Sequence, residues 1–133
     1  MMLYVVFDTN VIVSAMLSHN PQSPTVKVVE SISLGKVIPL YNEEILAEYD
    51  NVLHRTKFNL KDTDVSNMIG AIIKLGEKVG RIESGKRFPD PADVAFYEAA
   101  LSKEGSFLVT GNTRHFPQSP IVVTPSELLA IID

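Results

Sequence analysis

Apolar positions along the chain follow two rhythms, short continuous runs and helical spacings, and the two alternate. Leu3-Tyr4-Val5-Val6-Phe7 is continuous and β-prone, which predicts a strand buried on both faces. Ser23-Pro24 predicts an N-cap followed by Pro at the first helical position. Val26, Val29 and Ile32-Ser33-Leu34 continue that helical period, and Gly35 closes it. Val37-Ile38-Pro39-Leu40 reads as a second strand. Asn42 caps a helix from Glu43 to about His54, and Asp62 or Asp64 caps another that carries Val65, Met68, Ile69, Ile72 and Leu75. Val79 to Ile82 is predicted as a third strand.

A polar loop, Glu83-Ser84-Gly85-Lys86-Arg87-Phe88-Pro89, comes next. Asp90-Pro91-Ala92-Asp93 opens a helix that runs to about Lys103, with Gly105 ending it. Ser106 to Thr110 and Ile121 to Val123 are the fourth and fifth strands. Thr124-Pro125-Ser126-Glu127 is a capping box that starts a last short helix. Strands that alternate with helices predict an α/β domain with a mainly parallel sheet. No repeat or composition shift divides residues 1–133, so one domain is expected.

Composition narrows the function. The 133 residues are 45% hydrophobic and 21% charged, enough for a packed core and unlike a disordered chain. Twelve basic against sixteen acidic residues leave a net charge of −4, which argues against a general nucleic-acid coat protein. An enzyme that meets phosphate through bound cations stays open. The absence of Cys excludes disulfides, thiolate zinc sites and cysteine nucleophiles. The longest apolar run, Met1 to Phe7, is far short of a membrane span. No Lys or Arg precedes Lys27, so a secretory signal is not expected and a cytoplasmic location is.

In an open parallel sheet, polar groups just past strand ends form the expected site. Here the first strand ends in Asp8-Thr9-Asn10 and the fourth in Thr110-Gly111-Asn112. If those strands are neighbours where strand order reverses, the two ends share one crevice. Asp90 and Asp93, just before the fourth strand, can reach it too. Glu48 is placed by angle: at about 100° per residue from Ile45, Tyr49, Leu53, Leu46 and Val52 span an apolar arc about 120° wide. Glu48, near 300°, borders that arc, whereas Glu43, near 160°, lies outside it.

Each residue also has a plain structural reading. Glu48 may cover apolar surface with its stem while its head stays wet. Asp8 can be a turn or cap residue, Asp90 an N-cap, and Asp93 a partner of the helix dipole. Thr110 can be an ordinary strand residue and Asn112 turn chemistry. His19, His54 and His115 lack zinc-pair spacing, and none reads as a ligand.

Taken together, Asp8, Glu48, Asp93 and Asn112 resemble the acidic set of the PIN-domain family of metal-dependent ribonucleases. Val5-Val6-Phe7-Asp8-Thr9-Asn10-Val11 is similar to the family's opening strand and first acid. Asp90-Pro91-Ala92-Asp93 with Phe96-Tyr97-Glu98-Ala99-Ala100 is similar to its third acidic segment. Phe107-Leu108-Val109-Thr110-Gly111-Asn112, then Arg114-His115-Phe116, is similar to its closing strand and loop. Glu48 matches the second acid by position. The chain looks most like the bacterial and archaeal toxin components of toxin–antitoxin pairs, relatives of VapC. Two departures stand out: Asn112 is neutral where the family often has Asp, and Asp90 competes with Asp93 for one role.

The resemblance implies a three-layer α/β/α domain with strand order 3-2-1-4-5. It implies an endoribonuclease with Asp8, Glu48 and Asp93 as metal ligands and Asn112 orienting a water or ligating weakly. It further implies a homodimer and an antitoxin protein laid across the crevice. Hard oxygen donors without thiolates suit Mg²⁺ or Mn²⁺, and two such ions would offset the charge of −4 locally. Thr9, Asn10, Asp90 and Thr110 are expected as supporting groups, and Lys86, Arg87 and Arg114 as contacts to RNA phosphates. The rival from another class is a non-catalytic PIN module that binds RNA or a protein partner. An aspartyl-phosphate phosphatase is disfavoured because Asn10 interrupts an Asp-x-Asp opening, and no phosphate-binding Gly-rich loop occurs.

Overall fold

A computed structural model describes residues 2–132; Met1, at the head of the N-terminal apolar run, and Asp133 lie outside them. Strands β1 (Leu3–Phe7), β2 (Val37–Tyr41), β3 (Glu77–Lys78), β4 (Phe107–Val109) and β5 (Val122–Val123) form one sheet in the order β3-β2-β1-β4-β5. Every pairing is parallel. Among the described residues six α-helices accompany it: α1 (Thr9–Leu17), α2 (Pro24–Ser33), α3 (Glu43–Leu53), α4 (Asp62–Leu75), α5 (Pro91–Leu101) and α6 (Pro125–Ile132). They make the three-layer α/β/α architecture expected from the alternation. Helix α5 lies against β1, β2 and β4, and α2 packs on α1, α4 and α6. Val5, Val6 and Phe7 of the central strand are fully buried, as a strand covered on both faces requires.

Local chemistry explains most boundaries. The Asn42 side chain accepts the Ile45 N–H at 2.9 Å and starts α3. The capping box at α6 closes reciprocally: the Thr124 N–H donates to Glu127 Oε1 at 2.8 Å, and the Glu127 N–H to Thr124 Oγ1 at 3.1 Å. Gly35, at φ +73°, follows α2 in the left-handed conformation that suits glycine.

Four points depart from expectation. Helix α1, where no element was expected, follows β1 directly; Val11, Ile12 and Val13 are β-branched but buried, so packing overrides propensity. The third strand is Glu77–Lys78, not Val79 to Ile82. Only the Val79 N–H extends its pairing, to Tyr41 O at 2.8 Å, after which the chain turns away and Ile82 is half exposed. Gly76 sets that strand's start, because a Cβ there would collide with the Ile72 and Pro39 carbonyls. Finally, Lys61 occupies the N-cap position of α4, while Asp62 and Asp64 sit in its first turn, where the helix dipole favours them. Helix α5 also ends at Leu101, two residues before the expected Lys103.

Candidate active site

The ends of the two central strands are tied together. The Asp8 N–H donates to Val109 O at 3.0 Å, extending the β1–β4 pairing past Phe7. Thr110, fully buried after β4, donates its hydroxyl to Asp8 Oδ2 at 2.7 Å and accepts the Asn112 N–H at 3.0 Å. On the other side of β1, the Tyr49 hydroxyl of α3 donates to Phe7 O at 2.5 Å, in the buried interior. Asp8 is thus held between β4 and α3 at the carboxyl edge of the sheet, where open α/β sheets place their sites.

Four carboxylates surround a crevice there. Asp8, Glu48, Asp90 and Asp93 line a volume of about 120 Å³ together with Thr9, Asn10, Val52, Arg55, Ala92 and Phe96. Each water in the liquid occupies about 30 Å³. The crevice therefore has room for a partly hydrated ion. Glu48 is half-buried, matching its place at the border of the apolar arc of α3. A larger concavity between α2 and α4 is floored by Met16, Val29, Ile32 and Met68 and offers little converging chemistry.

Electrostatics set this crevice apart. Burial raises the pKa of Asp8 despite the Thr110 hydroxyl and the N–H groups of Asn10 and Thr9, which favour its charged form. Burial first, then the charges of Asp8 and Asp90, push Asp93 up to about 6; His115 opposes and Glu48 adds to the shift. Burial and the nearby Asp8 charge also push the Tyr49 hydroxyl well above its ordinary value. Burial leads in all three, and at Asp93 and Tyr49 the neighbouring Asp8 charge adds to it.

The other residues fall in distinct places. Asp90 lines the crevice while its side chain accepts the Ala92 N–H at 2.9 Å, so it caps α5 as well. Asn112 is not in the lining: its Nδ2 lies 3.1 Å from His115 Nε2. His115 in turn places Nδ1 3.8 Å from Asp93 Oδ2. Lys86 and Arg87 are exposed on the loop before α5, and Arg114 is exposed in the Thr113–His115 turn that follows Asn112. None of these three lines the crevice. Sequence reasoning missed Arg55, the cation in the lining, and His115. Arg55 follows α3 without a motif, whereas His115 lies within the Arg114-His115-Phe116 segment.

A family model described as a PIN domain matches residues 4–114. The chain belongs to the PIN domain family. No curated protein and no solved structure shows a match. The matched span includes all four crevice acids, Thr110 and Asn112, and leaves β5 and α6 beyond it. PIN domains are generally metal-dependent nucleases, so the donor set of this PIN domain bears on whether a divalent ion fits. Among the described residues, no three His, Asp or Glu side chains stand as a ready-made grip on one ion. The acids ring the crevice without closing on a point. Their chemistry nonetheless fits Mg²⁺ or Mn²⁺: hard carboxylate oxygens, raised pKa values that a cation would relieve, and no soft ligand. Thr9 adds a further sign, because its buried Oγ1 in the same lining has no hydrogen-bond partner.

Proposed function

We propose that this PIN domain is an endoribonuclease that uses Mg²⁺ or Mn²⁺ to hydrolyse RNA phosphodiester bonds, with Asp8, Glu48 and Asp93 as ligands. The observation that carries the reading is the gathering of Asp8, Glu48, Asp90 and Asp93 around one small crevice. The ion, when bound, supplies a Lewis acid for the phosphate and lowers the pKa of water. The chain's own residues do the rest. Thr110 orients the Asp8 carboxylate through its 2.7 Å hydrogen bond. Asp90 keeps the start of α5, and so Asp93, in place. Arg55 offers a guanidinium to a phosphate at the mouth of the crevice. His115, beside Asp93, offsets its charge when protonated. Asn112 acts from behind His115 rather than as a ligand, and Thr9 and Asn10 support the Asp8 loop. Lys86, Arg87 and Arg114 extend the phosphate track outward.

The proposal includes a biological role: the toxin of a toxin–antitoxin pair, acting in the cytoplasm as a homodimer and restrained by an antitoxin protein. The resemblance of the Asp8, Asp93 and Asn112 segments to such toxins supports it. No helix among the described residues is long and apolar enough to cross a membrane. A second reading, a non-catalytic module that binds RNA or a partner, is favoured by the neutral Asn112 and its turn toward His115. Incubating labelled RNA with the purified protein separates the two. Cleavage in Mg²⁺ or Mn²⁺ that chelator stops supports the nuclease; RNA binding without cleavage in either metal supports the module. Growth arrest on expression, absent for Asp8→Asn, tests the toxin role.

A further inference from the structure

Arg81 lies outside the acidic crevice and belongs to no motif, yet it joins the two helices that carry Glu48 and Asp93. Its Nη1 donates to Glu44 Oε2 of α3 at 2.6 Å. Its Nε and Nη2 donate to Glu98 Oε1 of α5, at 3.1 and 2.6 Å. Glu98 is buried, and its second oxygen accepts the Ser84 N–H at 2.8 Å and the Ser84 hydroxyl at 3.1 Å. The Ile82 N–H also donates to the Glu98 carbonyl at 3.2 Å. The segment after β3 is therefore fastened to α5, and from there Arg81 reaches across to α3.

The register of the two helices gives that link a purpose. Glu44 stands four residues before Glu48, one turn away on the same side of α3. Glu98 stands five residues after Asp93, about 7.5 Å along α5 at 1.5 Å per residue. The rings of Tyr49, next to Glu48 on α3, and Phe96, three residues after Asp93 on α5, lie 6.0 Å apart and join the two helices beside the acids. The two helices are thus joined by the Arg81 ion pairs at one end and by the aromatic pair at the other, where Glu48 and Asp93 line one crevice. The two acids repel each other, since the Glu48 charge adds to the raised pKa of Asp93.

We propose that Arg81 is a positioning residue: by bridging Glu44 and Glu98 it holds α3 against α5, so that Glu48 and Asp93 face one cation. The inference rests on the cation reading of the crevice. Arg is suited to this role because its planar fork serves two carboxylates at once, which the single ammonium of Lys does so less well. The Glu44 arm is solvent-exposed, so by itself it should contribute little to folding. A purely structural role therefore predicts almost no effect of Glu44→Ala on anything, and a positioning role predicts an effect on the ion.

Calorimetric Mn²⁺ titrations of the full chain, well below each variant's melting temperature, test this with parent, Glu44→Ala, Arg81→Ala and the double variant. Glu44→Ala, which cuts one exposed arm, is expected to weaken Mn²⁺ binding by about threefold, and Arg81→Ala, which cuts both arms, by more. The double variant should bind like Arg81→Ala alone, because both changes cut one link. If the parent binds Mn²⁺ and Glu44→Ala binds it equally well, the positioning role is overturned and the cation site stands. If the parent itself binds no Mn²⁺, the cation site falls and the positioning role falls with it.

Discussion

Asp93 shows at one residue what the crevice costs the metal-free protein. Its pKa lies at about 6, against an ordinary 3.8, because burial and neighbouring acids penalise its charge. A carboxyl raised on folding adds stability below its unfolded pKa, and that stability is lost as pH climbs from about 3.8 through about 6. Asp93→Asn removes the titration. In chelator, the melting temperature of this variant relative to parent should therefore rise between about pH 4 and pH 6.5 and then level off. Glu98 works in the opposite direction: the Ser84 N–H, then Arg81, hold its pKa low, so its stabilisation is lost as pH falls. That contribution is common to both proteins and cancels in the difference. A constant difference across the range would mean that Asp93 titrates like an exposed acid.

Among the elements, the strand-end geometry depends on a few buried contacts that join distant segments. The Tyr49 hydroxyl ties α3 to the end of β1, one residue before Asp8. Tyr49→Phe keeps the ring against Phe96 but leaves the Phe7 carbonyl without that donor. A loss of about 1–3 kcal/mol is expected from a buried group left unsatisfied, measured by denaturant unfolding. An unchanged midpoint would mean that water replaces the hydroxyl. Contacts of this kind explain what the sequence could show. Strand β1, the Asn42 cap, the Thr124–Glu127 box and the alternation of elements were legible because each is written in neighbouring residues. The PIN resemblance extended this to strand order and to Asp8, Glu48 and Asp93. Helix α1 was hidden because Val11, Ile12 and Val13 are strand formers whose helicity comes from burial. The Arg81 link and the approach of His115 to Asp93 were hidden because those partners lie far away in the chain, and Arg55 because no motif marks it. Asn112 was read toward the crevice, and only the packing of the Thr113–His115 turn shows its side chain facing His115.

At the scale of the whole molecule, a chain of net charge −4 gathers four of its acids at one sheet edge and must still approach an anionic substrate. Bound cations reconcile these demands, and they should also stabilise the fold by mass action. A free Mn²⁺ concentration a hundred times the dissociation constant adds about 2.7 kcal/mol to a protein that binds one ion only when folded. Thermal melts should show the parent rising with Mn²⁺ and Asp8→Asn not rising, whereas equal shifts would place the ion elsewhere. The most direct test is RNA cleavage by parent and Asp8→Asn in Mn²⁺, with both confirmed folded by melts in chelator. The variant should melt at or slightly above the parent, because Asp8 is a buried charge among like charges. Its cleavage should fall by at least about a hundredfold, beyond the loss typical of a merely supporting group. Undiminished cleavage by folded Asp8→Asn would contradict the assignment of the crevice as the active site.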